Sequence, residues 1–176
     1  MTEQTPQLHT HQSRPPASDI LRSFVGGFLG ISGLALSLQL ILGDADLALM
    51  IGTFGATAVL VYGVPYSPLA QPYNVVFGHL ISAAIGVAVF QMVGEANWLS
   101  AALAVSLAIA AMQASRSVHP PGGATALIAV ISSPAIHDLG FLYVVYPVGF
   151  GAVLLVGIAL ITNNVGKTRR WPIFWR

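Results

Sequence analysis

Apolar runs separated by short polar segments make up most of the chain. They predict six transmembrane segments, at about 21–42, 47–64, 75–93, 98–114, 124–133 and 141–161. A helix of about 20 apolar residues crosses the hydrocarbon layer, and the long unbroken runs do not suit the strands of a membrane barrel. The pattern therefore predicts an all-α membrane protein with six transmembrane segments.

The composition agrees with a membrane-embedded chain. Of the 176 residues, 55% are hydrophobic and only 7% are charged, whereas about a quarter of the residues in a soluble domain are charged. The net charge of +1 and the lack of a basic patch interleaved with aromatic residues exclude a nucleic-acid partner. The absence of cysteine excludes thiolate metal sites and a cysteine nucleophile, and we expect no metal or other cofactor.

The few charged residues divide between the two sides of the predicted bundle. Lys and Arg fall on the side of both termini, and Asp44, Asp46, Glu95 and Asp138 fall on the other. This distribution predicts cytoplasmic termini by the positive-inside rule. The expected location is a bacterial inner membrane, which the chain crosses several times. The predicted divisions are a disordered cytoplasmic tail, a transmembrane domain and a basic cytoplasmic tail, at 1–17, 18–166 and 167–176.

A short unit occurs twice. Gly-Ala-Thr-Ala stands at 55–58 and again at 123–126, each time in the second of three predicted spans. Repeats of three spans, at 18–94 and 95–166, run in opposite directions through the membrane, which is the inverted repeat of many secondary transporters. Such folds bind substrates at helix interruptions near the midplane. We therefore expect interrupted helices in spans 2 and 5, at Gly55 and Gly123, with span 5 becoming helical only at Gly123.

The segment 119–126, which opens span 5, predicts an anion site. A helix start carries free N–H groups and a partial positive charge, and glycine lets an anion approach them closely. His79 is an ionisable side chain inside a span and so a site candidate, although an interfacial role is an equal alternative. Arg116 either lines the same polar path or anchors the chain at the interface. The predicted binding residues are Gly55, Ala56, Thr57, His79, Ser117, His119, Gly122, Gly123, Ala124 and Thr125.

Three separated motifs resemble the HPP family of integral membrane proteins. The motifs are His119-Pro120-Pro121 with the following Gly-Ala-Thr-Ala, the loop Ser67–Pro72, and Arg169-Arg170-Trp171-Pro172 with Trp175. The resemblance extends from about Ser18 onward. Members in cyanobacteria and plastids are described as nitrite transporters, so the resemblance implies transport of nitrite or another small monovalent anion.

The leading functional prediction is a transporter of a small inorganic anion, because no Asp or Glu lies deep in any predicted span. The alternatives are a passive anion channel and a structural subunit without transport activity. An intramembrane enzyme using His79 and His119 is disfavoured, because the sequence offers it neither a carboxylate partner nor a third metal ligand. Either histidine also suits proton coupling.

The expected partners are the anion and membrane lipid. A dimer or trimer remains open, with the glycine-rich face of span 1 as the candidate contact between copies.

Overall fold

The computed structural model describes residues 14–40, 42–166 and 169–176, and every regular element within these ranges is helical. The all-α prediction is confirmed. The predicted disordered tail lies mostly outside the described residues, and the first helix begins at its last residue, Ala17. The α-helices of the described chain are α1 Ala17–Leu38, α2 Asp44–Ala58, α3 Pro72–Val93, α4 Trp98–Ala114, α5 Pro120–Ile131, α6 Pro134–Leu139 and α7 Phe150–Thr162.

Four segments of the described chain are long and apolar enough to cross a membrane, so the protein is a multi-pass membrane protein. They are Ala17–Leu38, Asp44–Gly63, Pro72–Val93 and Val144–Thr162. The other two predicted spans correspond to the shorter apolar helices α4 and α5, of 17 and 12 residues. At 1.5 Å per residue these helices are roughly 25 and 18 Å long, less than the hydrocarbon thickness of about 30 Å.

The predicted start of span 5 is wrong by three residues. Helix α5 begins at Pro120, with His119 as its N-cap, and not at Gly123. Proline is well suited to the first turn of a helix, because its φ is already helical and an N–H at that position has no partner within the helix. The two prolines that suggested an irregular entry therefore form the first turn of the helix.

The predicted interruption of span 2 at Gly55 is also wrong. Helix α2 passes through Gly55 without a break, and the backbone changes to a π-helix only at Val59–Gly63, before Pro65. A glycine inside a helix costs only about 1 kcal/mol, whereas proline stops the helix that precedes it. A break that the sequence did not predict lies in the last long segment, where Tyr146 is extended next to Pro147.

Helix α3 lies at the centre of the bundle. It packs against α4, α5 and α7, while α5 also packs against α2, and α1 packs against α2 and α7. The contact between α3 and α5 is very close, since a Cβ built on Gly86 would lie 2.5 Å from the Ala126 carbonyl oxygen. Small residues allow this backbone approach between membrane helices. The second half of α3 therefore lies directly beside the middle of α5.

The glycines of α1 are used within the chain. A Cβ on either Gly26 or Gly30 would lie 2.6 Å from an atom of the Tyr62 side chain, and the Tyr62 hydroxyl donates to the Leu155 carbonyl at 3.0 Å. This part of α1 is covered by the chain's own Tyr62. These two glycines therefore pack within one chain, and an association of copies stays a prediction.

The described part of the predicted basic tail, residues 169–176, folds back onto one end of the bundle. Arg169 pairs with Asp19 of α1 at 3.0 Å, and the Ile173 N–H donates to the Gln71 side-chain oxygen at 2.9 Å. Trp171 is only 3% exposed.

Asp46 connects two other helices. It lies where α2 meets α6, and its carboxylate accepts from the N–H and the hydroxyl of Ser133.

Candidate functional site

Two histidines face each other in the protein interior. His79 lies about 10 Å along α3 from its first residue, at 1.5 Å per residue. His119 caps the start of α5. Both side chains are fully buried, and their rings are 5.0 Å apart between centroids in an edge-to-face arrangement. Gly78 makes the contact possible, because a Cβ there would lie 2.6 Å from the His119 Cβ.

Two threonines complete the arrangement. The Thr57 hydroxyl oxygen lies 2.8 Å from Nε2 of His79 and 3.1 Å from Nε2 of His119. The Thr125 hydroxyl oxygen lies 2.7 Å from Nδ1 of His79. The threonines of the two repeated units thus bind the two nitrogens of one imidazole. We refer to Thr57, His79, His119 and Thr125 as the histidine–threonine cluster.

The proton positions in the neutral cluster follow from one contact. Nδ1 of His119 lies 2.8 Å from the Leu69 carbonyl oxygen, which only accepts, so Nδ1 carries the proton and Nε2 is left as an acceptor. Thr57 donates to that Nε2 and therefore accepts from Nε2 of His79. Nδ1 of His79 in turn accepts from Thr125. The hydrogen bonds then run in one direction, from Thr125 through His79 and Thr57 to His119 and Leu69.

No carboxylate contacts the histidine–threonine cluster in the part of the chain that the structure describes. Phe54 stacks on His79 with 4.7 Å between ring centroids, and the Tyr143 hydroxyl donates to the Thr125 carbonyl at 3.1 Å. Groups of three or more His, Asp or Glu that could hold a metal ion do not occur in these ranges either. An added proton would therefore leave a buried positive charge without a counter-ion from the protein, which is costly in a low dielectric.

Two other predicted site residues lie beside the cluster. Ser117 is fully buried, and its hydroxyl lies 2.7 Å from that of Ser115. Gly122 packs tightly, since a Cβ on it would lie 2.8 Å from the Ser82 hydroxyl oxygen. Its N–H donates to the His119 carbonyl at 2.8 Å. Because the two prolines before it carry no N–H, the first three residues of α5 offer no free backbone donor.

The structure does not bring the remaining predicted residues to the cluster. Gly123 and Ala124 line an apolar groove of about 500 Å³ beside α4, and Ala56 and Ala124 line a second groove of about 280 Å³ between α2 and α5. A Cβ on Gly55 would have no atom within 4 Å. The site that the geometry supports is therefore made of side chains and not of the glycine backbone.

A basic pocket opens near the cluster. A cavity of about 400 Å³ is lined by Tyr73, Ala114, Ser115, Arg116 and Arg176. The Arg176 guanidinium lies 5.7 Å from the centre of the Tyr73 ring, and Arg116 adopts a left-handed φ of 57°. Ser115 lines this pocket, and its hydroxyl contacts that of Ser117, which lies two residues before His119. The two hydroxyls therefore connect the pocket with the cluster. The sequence did not indicate that Arg176 and the Leu69 carbonyl lie near the site, because each reaches it from a distant part of the chain.

Comparison with known proteins gives a family and two relatives. The family described as HPP, transmembrane region, matches residues 12–172. Two proteins of Dictyostelium discoideum that are named only as transmembrane proteins are each 41% identical, over 165 and 168 residues, which is 92% of this chain in both cases. The chain spans 53% and 59% of the lengths of these relatives. No solved structure matches this chain.

Proposed function

This chain belongs to the HPP family of membrane proteins, and from that premise we propose that it moves a small inorganic anion across the membrane. The observation that carries the proposal is the histidine–threonine cluster, with two fully buried imidazoles and no contacting carboxylate among the described residues. Nitrite is the first anion to test, since it is the substrate that the family resemblance implies. The cluster residues Thr57, His79, His119 and Thr125 form the proposed binding site.

The chemistry of the cluster suits an anion better than a cation. Once one imidazole is protonated, it offers a full positive charge, and an entering anion would accept from its N–H groups and from the hydroxyls of Thr57 and Thr125 in place of their internal partners. These interactions strengthen in a site that excludes water, because a low dielectric screens them weakly. A cation would meet the same positive charge with no carboxylate to oppose it.

The basic pocket provides an entrance to the cluster from the side of His119. Arg116 and Arg176 both line it, and charges of one sign at a cavity mouth raise the local concentration of the opposite ion. Ser115 and Ser117 then supply hydroxyls on the way from this pocket to His119. In this proposal Arg116 lines the pathway.

We also propose that the helices form six membrane segments in two inverted repeats. The helix packing supports this proposal. The proposed repeats pair α1 with α4, α2 with α5 and α3 with α7. Under this pairing the contact of α1 with α2 corresponds to that of α4 with α5, and the contact of α1 with α7 to that of α4 with α3. The extensive contact of α3 with α5, however, corresponds only to a slight contact of α7 with α2. Thr57 and Thr125 are equivalent in this pairing, and both bind His79. In such folds the substrate site lies between the repeats.

The orientation remains part of the proposal. Arg22, Arg169 and Arg176 lie near the end where α1 begins, as does Arg116. By the positive-inside rule this end faces the cytoplasm, and a bacterial inner membrane is the expected location. A cysteine introduced at Asp138 should react with an impermeant reagent from outside the cell, and one introduced at Asn164 should not.

The purified protein in liposomes tests the transport function. We expect saturable flux of at least one anion from a panel of nitrite, nitrate, formate, chloride and bicarbonate. His79→Gln should reduce this flux strongly, while His137→Gln should not, because His137 lies in α6 and contacts the Val130 carbonyl instead of the cluster. Flux that rises linearly with concentration would favour a channel over a carrier.

Other outcomes would contradict the proposal. A folded, monodisperse protein that moves none of the five anions would favour a structural subunit. Chemical conversion of an anion without flux would favour an enzyme.

A further inference from the structure

We propose that the histidine–threonine cluster holds one exchangeable proton, which Thr57 passes between His79 and His119. The proposal deepens the anion-transport function, on which it rests for its physiological purpose, by naming a proton as the ion that travels with the anion. The relay itself follows from the hydrogen-bond geometry. Its central feature is that one hydroxyl lies within hydrogen-bond distance of both Nε2 atoms, at 2.8 and 3.1 Å.

One extra proton fits on His79 with every hydrogen bond satisfied. Protonated His79 donates from Nε2 to Thr57 and from Nδ1 to Thr125. The Thr125 hydroxyl then turns to the Pro121 carbonyl oxygen, which lies 3.3 Å away. Thr57 donates to Nε2 of His119, as it does in the neutral cluster.

His119 can hold the same proton instead, again with every hydrogen bond satisfied. His119 then donates from Nε2 to Thr57 and from Nδ1 to the Leu69 carbonyl. Thr57 turns its hydroxyl toward Nε2 of His79, and His79 keeps its proton on Nδ1, bonded to Thr125. The two arrangements contain the same number of protons and differ only in which ring is charged.

The step between them moves two protons in one direction. The Nε2–H bond of His79 breaks as its proton binds a lone pair of the Thr57 oxygen. At the same time the original O–H bond of Thr57 breaks, and that proton binds the lone pair on Nε2 of His119. Thr57 begins and ends as a neutral hydroxyl, no group is oxidised or reduced, and one positive charge moves from His79 to His119.

The cluster holds one proton and not two. With 5.0 Å between the ring centroids, repulsion at an effective dielectric of about 20 disfavours a second imidazolium by roughly 200-fold. The surroundings add no compensating negative charge among the described residues. The segment before α7 contributes Tyr143, the end of α4 contributes Arg116 at the pocket, and α2 and α5 contribute only uncharged side chains to the cluster.

The Leu69 carbonyl closes the relay at the His119 end. A carbonyl oxygen accepts a hydrogen bond but does not carry a proton onward, so the chain of donors ends at Nδ1 of His119. The proton leaves in that direction only when His119 and Leu69 separate. This arrangement prevents a continuous proton leak, and an anion bound beside the imidazolium would form a neutral pair with it.

Nitrogen-15 NMR of histidine-labelled protein in lipid bilayers tests the relay directly. At high pH we expect Nε2–H on His79 and Nδ1–H on His119, with the signals assigned by His79→Gln and His119→Gln. On acidification we expect one proton per molecule, exchanging between the two rings. Thr57→Val should abolish this exchange and Thr57→Ser should retain it.

Thr53→Val is the matched control, because it makes the same change one turn earlier on α2, and its side chain does not contact either ring. In liposomes, Thr57→Val should lower anion uptake driven by a pH gradient by about 100-fold, the lower end for loss of a positioned proton-transfer group. Thr53→Val should leave it unchanged. Ring-to-ring exchange that persists in Thr57→Val, or two protons binding at the same pH, would overturn the relay.

The two proposals fail separately. If the wild-type protein shows the shared proton but transports none of the tested anions, the relay stands and the transport function is wrong. If anion flux is present, but neither pH-gradient uptake nor exchange between the rings depends on Thr57, transport stands and the relay is wrong.

Discussion

The two Gly-Ala-Thr-Ala units have the same sequence but different surroundings. Both threonines bind His79, at 2.8 Å from Thr57 and 2.7 Å from Thr125. The unit in α5 is pressed against α3, where the Ala126 carbonyl would meet a Cβ on Gly86 at 2.5 Å. No backbone atom of the α2 unit, by contrast, is among the nearest neighbours of a Cβ built on any described glycine. The units therefore share their polar contact and differ in their backbone packing.

This difference indicates which backbone contact holds the site most closely. Close packing of α5 on α3 holds Thr125 beside His79, since packed interfaces of small residues resist displacement. Helix α2 approaches the cluster mainly through the Thr57 hydroxyl, with Phe54 against the His79 ring. Under the proposed transport function, we expect opening of the cluster to move α2 relative to the closely packed pair of α3 and α5.

The closely packed pair is tested by adding a single methyl group. Gly86→Ala places a Cβ against the backbone of Ala126, which cannot rotate away, so we expect a loss of about 3 kcal/mol in unfolding free energy. Titration with SDS in mixed micelles measures this change. Combining it with Ala129→Gly should restore only part of the loss, because it removes the contact at 2.8 Å and leaves the carbonyl at 2.5 Å. Unchanged stability would show that α3 and α5 are less close than described.

The two threonines provide the next comparison. Thr57→Val removes the partner of two ring nitrogens, whereas Thr125→Val removes the partner of one. We expect losses in unfolding free energy of about 2 kcal/mol and about 1 kcal/mol, since each buried hydrogen bond in a membrane protein contributes roughly 0.6–1.5 kcal/mol. The same SDS titration measures both variants. Equal losses would mean that Thr57 serves only one of the two histidines.

Part of the site was predictable from the sequence because ionisable and repeated residues stand out in an apolar chain. His79 and His119 were candidates because they are ionisable, and Thr57 and Thr125 because they belong to the repeated unit. The contact between the two histidines depends on Gly78, which the sequence does not distinguish from the other glycines of its helices. Leu69 was also hidden, because its contribution is a backbone carbonyl that meets His119 from 50 positions away.

The errors in the helix boundaries have a common physical cause. Proline is excluded from a helix interior but favoured in its first turn, so Pro120 and Pro121 are compatible with both a loop and a helix start. Glycine is similarly ambiguous, because it marks a break, a close contact or neither. Gly26 and Gly30 lie against Tyr62, whereas Gly55 has no close neighbour. Only the tertiary packing separates these cases.

The smallest expected effect concerns the glycines of the two units, and it has the opposite sign. A Cβ on Gly55 would meet nothing within 4 Å, and one on Gly123 would meet only the Val105 side chain at 3.9 Å, an ordinary contact. Both residues lie inside α-helices, where alanine is preferred to glycine by roughly 0.5–1 kcal/mol. We therefore expect Gly55→Ala and Gly123→Ala each to raise the unfolding free energy by about that amount and to leave anion flux unchanged. SDS titration and the liposome assay measure the two quantities on the same preparations. A loss of flux at unchanged or higher stability would show that a conformation of the transport cycle brings another group against these glycines, and the glycine backbone would return to the site beside the histidines.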